Sequence, residues 1–459
     1  MILPPMWRHQ ARELEQNHHK PKLALFWSPR MGKTRAAAED ARKSGLPRGL
    51  VTAPLSVCND WVDMLVALGF TVVPAHKAPV KSLTKIRELR ASGAVIVIND
   101  DKLPAACEEL LRFDPQFCIF DEAHRLKRPS GKKSRAARRL GYNAQRVRLL
   151  TGTPAPNHYG DLWAPMSMTS RDENEWGSAF GRFRERFLIY DYMFPSRILG
   201  HKNTDVLQGL ILKYASIVRR EDVFGPDDFQ YVTRSVELPP HARKLYDTFA
   251  DKWMLDEPAL KADNVLTHIL RLRQIAAGYA ETELVHTALI DRLLADLGEV
   301  VESGEKAIVY HQFRWEGAQA ASRARAELHV PVYEYHGDVG PDDRKRIERE
   351  FNTTPGARVA FVQIQSGGTG ISFASAEHLM FLSSTFSFAE MCQARDRVYA
   401  PDPELGKGKR RVIYDYRAKE TIHDFIGEVL ARKGSVHEAL RNADREAIAY
   451  GSFKRRKAS

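Results

Sequence analysis

Residues 116–124, Gln-Phe-Cys-Ile-Phe-Asp-Glu-Ala-His, constrain the fold of this chain more than any other stretch. The apolar run from Phe117 to Phe120 is too brief for a helix and reads as a strand buried on both faces. It delivers two adjacent carboxylates, Asp121 and Glu122, at its C-terminal end, and in an open α/β sheet that edge is where ligands bind. An Asp so placed can hold Mg²⁺ beside a nucleotide's phosphates, and the Glu after it can orient or deprotonate an attacking water. Asp-Glu also ends strands that have no such role, so the reading needs a partner.

The partner lies upstream. Residues 23–27 (Leu-Ala-Leu-Phe-Trp) form an apolar strand, followed by a turn and by Gly32, Lys33 and Thr34 opening a helix. A helix N-terminus offers free N–H groups and a positive dipole end to phosphates; Lys33 would reach the β/γ oxygens and Thr34 their Mg²⁺. Further strands are expected at 49–56, ending in a proline turn, at 70–74 and 94–99, both buried, and at 147–154, ending in a polar turn, with a helix at 59–65. Strands alternating with helical segments imply a parallel, doubly wound sheet.

A length of 459 residues implies two or three domains, and 43% hydrophobic content is that of a globular chain with no membrane-spanning run. The opening residues lack the basic and apolar regions of a signal peptide. Four cysteines without metal-type spacing point to a reducing compartment, without disulfides or structural zinc. The net charge of +11 favours an anionic partner. Its distribution is more telling: Arg125, Lys127, Arg128, Lys132, Lys133, Arg135, Arg138, Arg139, Arg146 and Arg148 fall in one run without an acid. A solvated basic helix is the bland reading; directly after the acidic strand end, the run is read as a nucleic-acid-facing surface.

Residues 160–217 interleave Phe180, Phe183, Phe187, Tyr190, Tyr192 and Phe194 with Arg182, Arg184, Arg186 and Arg197. They either stack on nucleic acid or, as the favoured reading, pack a helical protrusion. Turn residues and charge at 219–228 mark a hinge. Leu266, Ile269, Leu270, Leu272 and Ile275 suggest one buried helical face within a second helical stretch. A second α/β half follows, with strands at 307–313, 332–337, 359–363 and 378–382 and a charged helix at 342–351. Its glycine-rich turn, Ser366, Gly367, Gly368, Thr369 and Gly370, could let a phosphate approach the backbone. No second Gly-Lys-Thr appears, so one nucleotide site per chain is expected.

In their order, Gly32-Lys33-Thr34, Asp121-Glu122-Ala123-His124-Arg125-Leu126-Lys127 and Leu150-Thr151-Gly152-Thr153-Pro154 resemble motifs I, II (in its DEAH form) and III of superfamily-two helicases. The extensions beyond motifs II and III are most similar to Swi/Snf-type DNA translocases, as a compact motor without accessory domains. The resemblance runs from about Gln10 to Phe425. It implies two RecA-like parallel-sheet domains with helical protrusions and an ATP site in the cleft between them. The first domain would span 1–222, with a protrusion at about 160–217, and the second 223–435, with one at about 240–280. A basic tail would occupy 436–459.

The same resemblance assigns roles. Lys33, Asp121, Glu122 and Arg397 would be catalytic, Arg397 as the arginine finger, and Thr34 and Asp121 would hold Mg²⁺. ATP would meet Gln10, Arg30, Met31, Gly32, Lys33, Thr34, Gly370, Gln393 and Arg397, with Gln10 reading adenine. DNA would meet Pro54, Ser56, Trp61, Lys127, Arg128, Thr151, Gly152, Ser366, Gly367, Gly368 and Thr369, and His124 would couple the two. Three departures stand out: Trp27 and Arg30 replace small residues in the phosphate loop, and Ala400 stands where motif VI has a second arginine.

The function so implied is a DNA-dependent ATPase that translocates on duplex DNA and remodels forks, branches or protein–DNA complexes. The alternatives are a strand-separating helicase, on DNA or less readily on RNA, and a non-hydrolysing DNA-binding scaffold. The expected cofactors are ATP and Mg²⁺. The expected state is a monomeric motor away from membranes, in the cytoplasm of a bacterial or virus-infected cell, with the nucleus as alternative.

Overall fold

The structure, a computed structural model, describes residues 3–77, 86–155, 158–170, 172, 175–177, 179–190, 192, 198–225, 229–255, 262–280, 283–364, 371–385, 388–399 and 410–431. The chain divides into two compact units, Met1–Pro226 and Asp227–Ser459. Ser366 to Gly370, Phe194, Arg197, Ala400 and the basic tail lie outside the described residues.

The first unit places α1 (Arg8–Asn17) before β1 (Lys22–Trp27), α2 (Lys33–Ser44), β2 (Gly49–Ala53), α3 (Cys58–Ala67), β3 (Val72–Pro74), α4 (Ile86–Ser92), β4 (Val95–Asn99), α5 (Leu103–Phe113), β5 (Phe117–Phe120), α6 (Lys132–Asn143) and β6 (Arg146–Leu150). Then come α7 (Trp163–Met166), α8 (Phe180–Phe187), a two-stranded hairpin of β7 (Leu188–Tyr190) and β8 (Ile198–His201), α9 (Thr204–Tyr214), β9 (Ala215–Val218) and α10 (Arg220–Phe224). The sheet is seven-stranded and parallel, in the order β3-β4-β2-β5-β6-β1-β9. Its inner strands are buried along their length, as near-continuous Val/Ile/Leu/Phe runs require when helices cover both faces.

Several expectations need correcting. β3 starts at Val72 and is half-buried because it is the sheet's edge. The protrusion read at 160–217 ends in β9, which joins the main sheet beside β1. Part of the expected hinge, Arg220–Phe224, is a short helix. Within the protrusion the aromatics pack: Trp163, Trp176, Phe183 and Phe187 are buried in one core, and Arg184 lies 4.0 Å over the Tyr190 ring. Tyr192 alone among the described aromatics of the predicted set is wholly exposed.

The second unit has β10 (Phe229–Val236), α11 (Pro240–Leu255), α12 (Ala262–Ala277), a small antiparallel pair of β11 (Tyr279–Ala280) and β12 (Glu283–Leu284), α13 (Ala288–Glu302), β13 (Lys306–His311), α14 (Arg314–Glu327), β14 (Val332–Tyr335), α15 (Pro341–Thr353), β15 (Arg358–Gln363), β16 (His378–Phe381), α16 (Phe388–Arg395), β17 (Arg411–Ala418) and α17 (Ile422–Ala431). Six parallel strands run in the order β10-β17-β16-β13-β15-β14. On α12, Ile269, Leu272 and Ile275 are buried, but Leu270 is exposed on the opposite side of the helix.

Candidate nucleotide site

The first unit's site is built where β1 hands over to α2. Gly32, at φ 74°, is the N-cap of α2, and a Cβ there would fall 1.8 Å from Gln10 Nε2. Left-handed geometry and contact with a neighbouring side chain together demand glycine. Gln10 is buried on α1; its Nε2 donates to Met31 O at 3.3 Å, and its Oε1 accepts from Trp7 N at 2.9 Å. His9 Nε2 also contacts Met31 O, at 2.9 Å, and burial lowers its pKa. Arg30 is a second left-handed residue of the loop, at φ 60°. Lys33 donates to the carbonyls of Trp27 at 2.9 Å and Ser28 at 3.2 Å, while Thr34 is half-buried on the first turn.

Trp27, out of place against the family pattern, is buried and structural. Its indole N–H donates to Ser216 Oγ at 2.7 Å, and Ser216 donates to Glu13 Oε2 at 2.6 Å. This relay ties α1, and with it Gln10, to β1 and β9. Sequence spacing could not reveal it, because Glu13 and Ser216 are distant in the chain.

At the end of β5, Asp121 accepts the indole N–H of Trp61 on Oδ2 at 2.8 Å and the backbone N–H of Glu122 on Oδ1 at 2.9 Å. Burial, then the charge of Glu122, pushes Asp121 up to about 6, against the pull of Trp61 and Lys33. Burial also raises Glu122, but the hydrogen bond and charge of His124, with Lys33 and Arg125, hold it below its usual value. The two carboxylates are thus driven apart in acidity, as sites with divided roles require. Lys33 bears on both, so the phosphate loop and the acidic strand end share one electrostatic site.

His124 connects this pair to the next strand end. Its Nδ1 lies 3.2 Å from Glu122 Oε2 and 3.1 Å from Thr151 Oγ1, which also accepts Thr153 N at 3.1 Å. Gly152 packs on Pro29 of the phosphate loop, where a Cβ would sit 3.1 Å from the proline ring. Four separate segments therefore converge: α1, the phosphate loop, the end of β5 and the end of β6.

A divalent cation fits this donor set. Mg²⁺ binds through one or two protein oxygens and otherwise through phosphates and water. Among the described residues there is no group of three or more His, Cys, Asp or Glu able to form a closed cage, while Asp121 is a half-buried carboxylate, raised by desolvation, that a cation would keep ionised.

The expected nucleic-acid residues divide. Trp61 is 1% exposed and Thr151 2% exposed, and hydrogen bonds hold them to Asp121 and His124. Pro54 is buried; Ser56 and Arg128 are exposed; Lys127 is 3.9 Å from Asp161. The basic run is not one face. Arg146 and Arg148 belong to the buried strand β6 and pair with Asp40. Arg125 and Lys133 bind Asp100, Arg139 binds Glu108, and Arg138 lies 4.5 Å over the Trp163 ring. Among the described residues, Arg128, Lys132 and Arg135 are exposed and make no ion pair.

In the second unit, Gln393 is half-buried on α16, and Arg397 is 8% exposed, its guanidinium 5.8 Å from the Tyr310 ring centre. Arg395 pairs with Asp396 at 3.0 Å.

Residues 12–277 match the SNF2-related domain and residues 287–400 the helicase conserved C-terminal domain. The chain belongs to the SNF2-related family. That family is one of the ATPase families of helicase superfamily two. The human DNA annealing helicase and endonuclease ZRANB3 is 22% identical over 417 residues, 87% of this chain and 37% of the relative. The Drosophila melanogaster SWI/SNF-related matrix-associated actin-dependent regulator of chromatin subfamily A-like protein 1 is 24% identical over 425 residues, 88% of this chain and 52% of the relative. The chain thus spans between 37% and 52% of the length of these two relatives. A solved Sulfolobus solfataricus SWI2/SNF2 ATPase core in complex with dsDNA is 19% identical and aligns over 97% of this chain and 94% of its own, with a TM-score of 0.44.

Proposed function

We propose that this SNF2-related chain is a motor that couples ATP hydrolysis to movement on duplex DNA and thereby remodels forks, branched DNA or protein–DNA complexes. The observation that carries the ATPase reading is the linkage of Glu122, His124 and Thr151 beside a lysine that acts on both carboxylates. Lys33 would neutralise phosphate charge, the N-terminus of α2 would receive phosphate oxygens, and Gln10 would read the adenine edge. Glu122, held ionised at neutral pH, would orient the attacking water and accept its proton. Thr34 and Asp121 would hold Mg²⁺, which supplies charge compensation for the transferring phosphoryl group. Arg397 is the residue we assign to charge neutralisation on that group. His124, bonded to Glu122 and to Thr151 of the motif assigned to DNA, would transmit occupancy of one to the other. For DNA as partner, support comes from the family and from the relatives' names.

The test is steady-state ATP hydrolysis with no nucleic acid, single-stranded DNA, blunt duplex, a four-way junction and RNA. We expect stimulation by duplex or junction, with Lys33→Ala lowering turnover by at least about a hundredfold and Glu122→Gln keeping ATP binding while losing turnover. Stimulation by single strands or RNA alone would replace the translocase reading with that of a strand-separating helicase. Turnover in Lys33→Ala near that of the wild type would end the site assignment. The absence of a second arginine at Ala400 favours one rival, a DNA-gripping scaffold; no turnover with any substrate would install it.

A further inference from the structure

Trp61 fills a place in the core that packing alone does not explain. Its ring lies in a buried cluster with the apolar side chains of Trp27, Met31, Leu65, Val97 and Ile119, a packing role in which the indole N–H has no part. The indole adds one N–H, and a buried tryptophan N–H needs an acceptor. From the first turn of α3 it reaches Asp121 Oδ2 at 2.8 Å.

That contact decides how Asp121 presents itself. Its backbone is fixed by the sheet, Asp121 N donating to Thr52 O at 2.8 Å. The last torsion of an aspartate is nonetheless broad, so the plane of the carboxylate is set by what it bonds to. Oδ1 takes the N–H of Glu122, the adjoining residue, which is itself in a left-handed turn at φ 47°. Oδ2 is tied to a separate element anchored in the core.

We propose that Trp61 is a positioning residue for the metal-bearing carboxylate: its indole N–H fixes the plane in which Asp121 offers its remaining lone pairs to Mg²⁺. The inference rests on the reading of an ATP site above and deepens it. Groups that orient metal ligands in this way alter metal affinity about 10- to 100-fold when removed.

The experiment measures Mn²⁺ binding by electron paramagnetic resonance at saturating ADP, alongside ADP binding without metal. It compares wild type, Trp61→Phe, and a chain carrying β-(3-benzothienyl)alanine at position 61, which keeps the bicyclic shape without the N–H. Thermal melts report folding; should Trp61→Phe unfold, the isosteric variant carries the test. The expected result is Mn²⁺ affinity weakened 10- to 100-fold with metal-free ADP affinity unchanged, a split that a merely structural residue would not produce. Mn²⁺ affinity within about twofold of wild type in the folded isosteric variant would overturn the proposal and leave the nucleotide site standing. Loss of ADP and Mn²⁺ in parallel would also overturn it, marking Trp61 as a packing residue. A wild-type chain that binds no ADP would overturn the nucleotide reading and this inference with it.

Discussion

In the first unit the buried carboxylate of Asp40, on α2, meets His18 Nδ1 at 2.8 Å, Arg148 Nη2 and Nε both at 2.9 Å, and Arg146 Nε at 3.3 Å. In the second, Glu316 is fully buried on α14, where burial pushes it up to about 7 against hydrogen bonds from Ser383 and the backbone of Phe313 and the charge of Arg273. Burial likewise pushes His311 down to about 4 and His423 down to about 3. Opposite charges in contact can offset the desolvation of both, whereas a buried group without such a contact drifts toward its neutral form. Asp40 and Glu316 are thus kept inside by opposite means, although the second unit also uses contact pairs, its buried Asp296 meeting Arg234 and Arg292. The first unit is braced by contact ion pairs that join α1, α2 and β6, the frame around Gln10 and Lys33. In the second, burial favours the neutral forms of Glu316, His311 and His423.

The largest test of that difference is Arg148→Leu. Removing a buried partner leaves Asp40 desolvated, a change that costs about 3–5 kcal/mol when a pair is broken outright. Arg146 and His18 remain, so about 3 kcal/mol is expected, the lower end of that range. Amide exchange should quicken along β1 and β6 while β13 and β17 keep their protection. Equal loss in both units would break the contrast.

A second test concerns charges left outside such pairs. Arg128, Lys132 and Arg135 together to Ala should reduce the salt dependence of DNA binding by a slope of about 2 to 3, since each phosphate contact contributes about 0.9. Arg139→Ala should change it far less, because Arg139 is committed to Glu108. If both variants behave alike, pairing does not decide which cations of the run meet DNA.

The strands and the phosphate loop were legible in the sequence because their signals are local: an unbroken apolar run, a glycine before a helix, a carboxylate at a strand end. Phe117–Phe120 and the start of α2 lie where that reasoning puts them. What escaped it is long-range. Arg146 and Arg148 read as part of a basic surface because charge is counted along the chain, but their neighbours across space are Asp40 and the carbonyls of Lys20 and Pro21. Trp61 reads as a strand contact because its motif suggests one; only the fold shows its N–H turned inward to Asp121. Trp27 departs from the family's small residues, and its compensation, Ser216 and Glu13, comes from two distant segments. Ion-pair partners and second neighbours of a site carry no periodicity, so a single sequence cannot announce them.

The smallest expected effect is the finest test of the second unit's mode of burial. His311 and His423 have folded pKa values below the ordinary 6.5, so as pH falls below 6.5 the unfolded chain takes up protons that the folded unit refuses, and stability is lost. Glu316 works the other way. Its folded carboxyl, raised to about 7, keeps its proton where the unfolded one, at 4.5, has released it, so its contribution to stability falls as pH rises through that window. Between pH 4.5 and 6.5 the two histidines therefore outweigh the glutamate. Glu316→Gln removes the opposing group alone and should steepen the rise of stability with pH by about 1.4 kcal/mol per unit. Hydrogen exchange of β13 and β17 amides across pH 5 to 6.5, corrected for intrinsic rates, measures it. An unchanged slope would mean that Glu316 stays ionised beside Arg273, as a contact pair would, and that it is buried as Asp40 is.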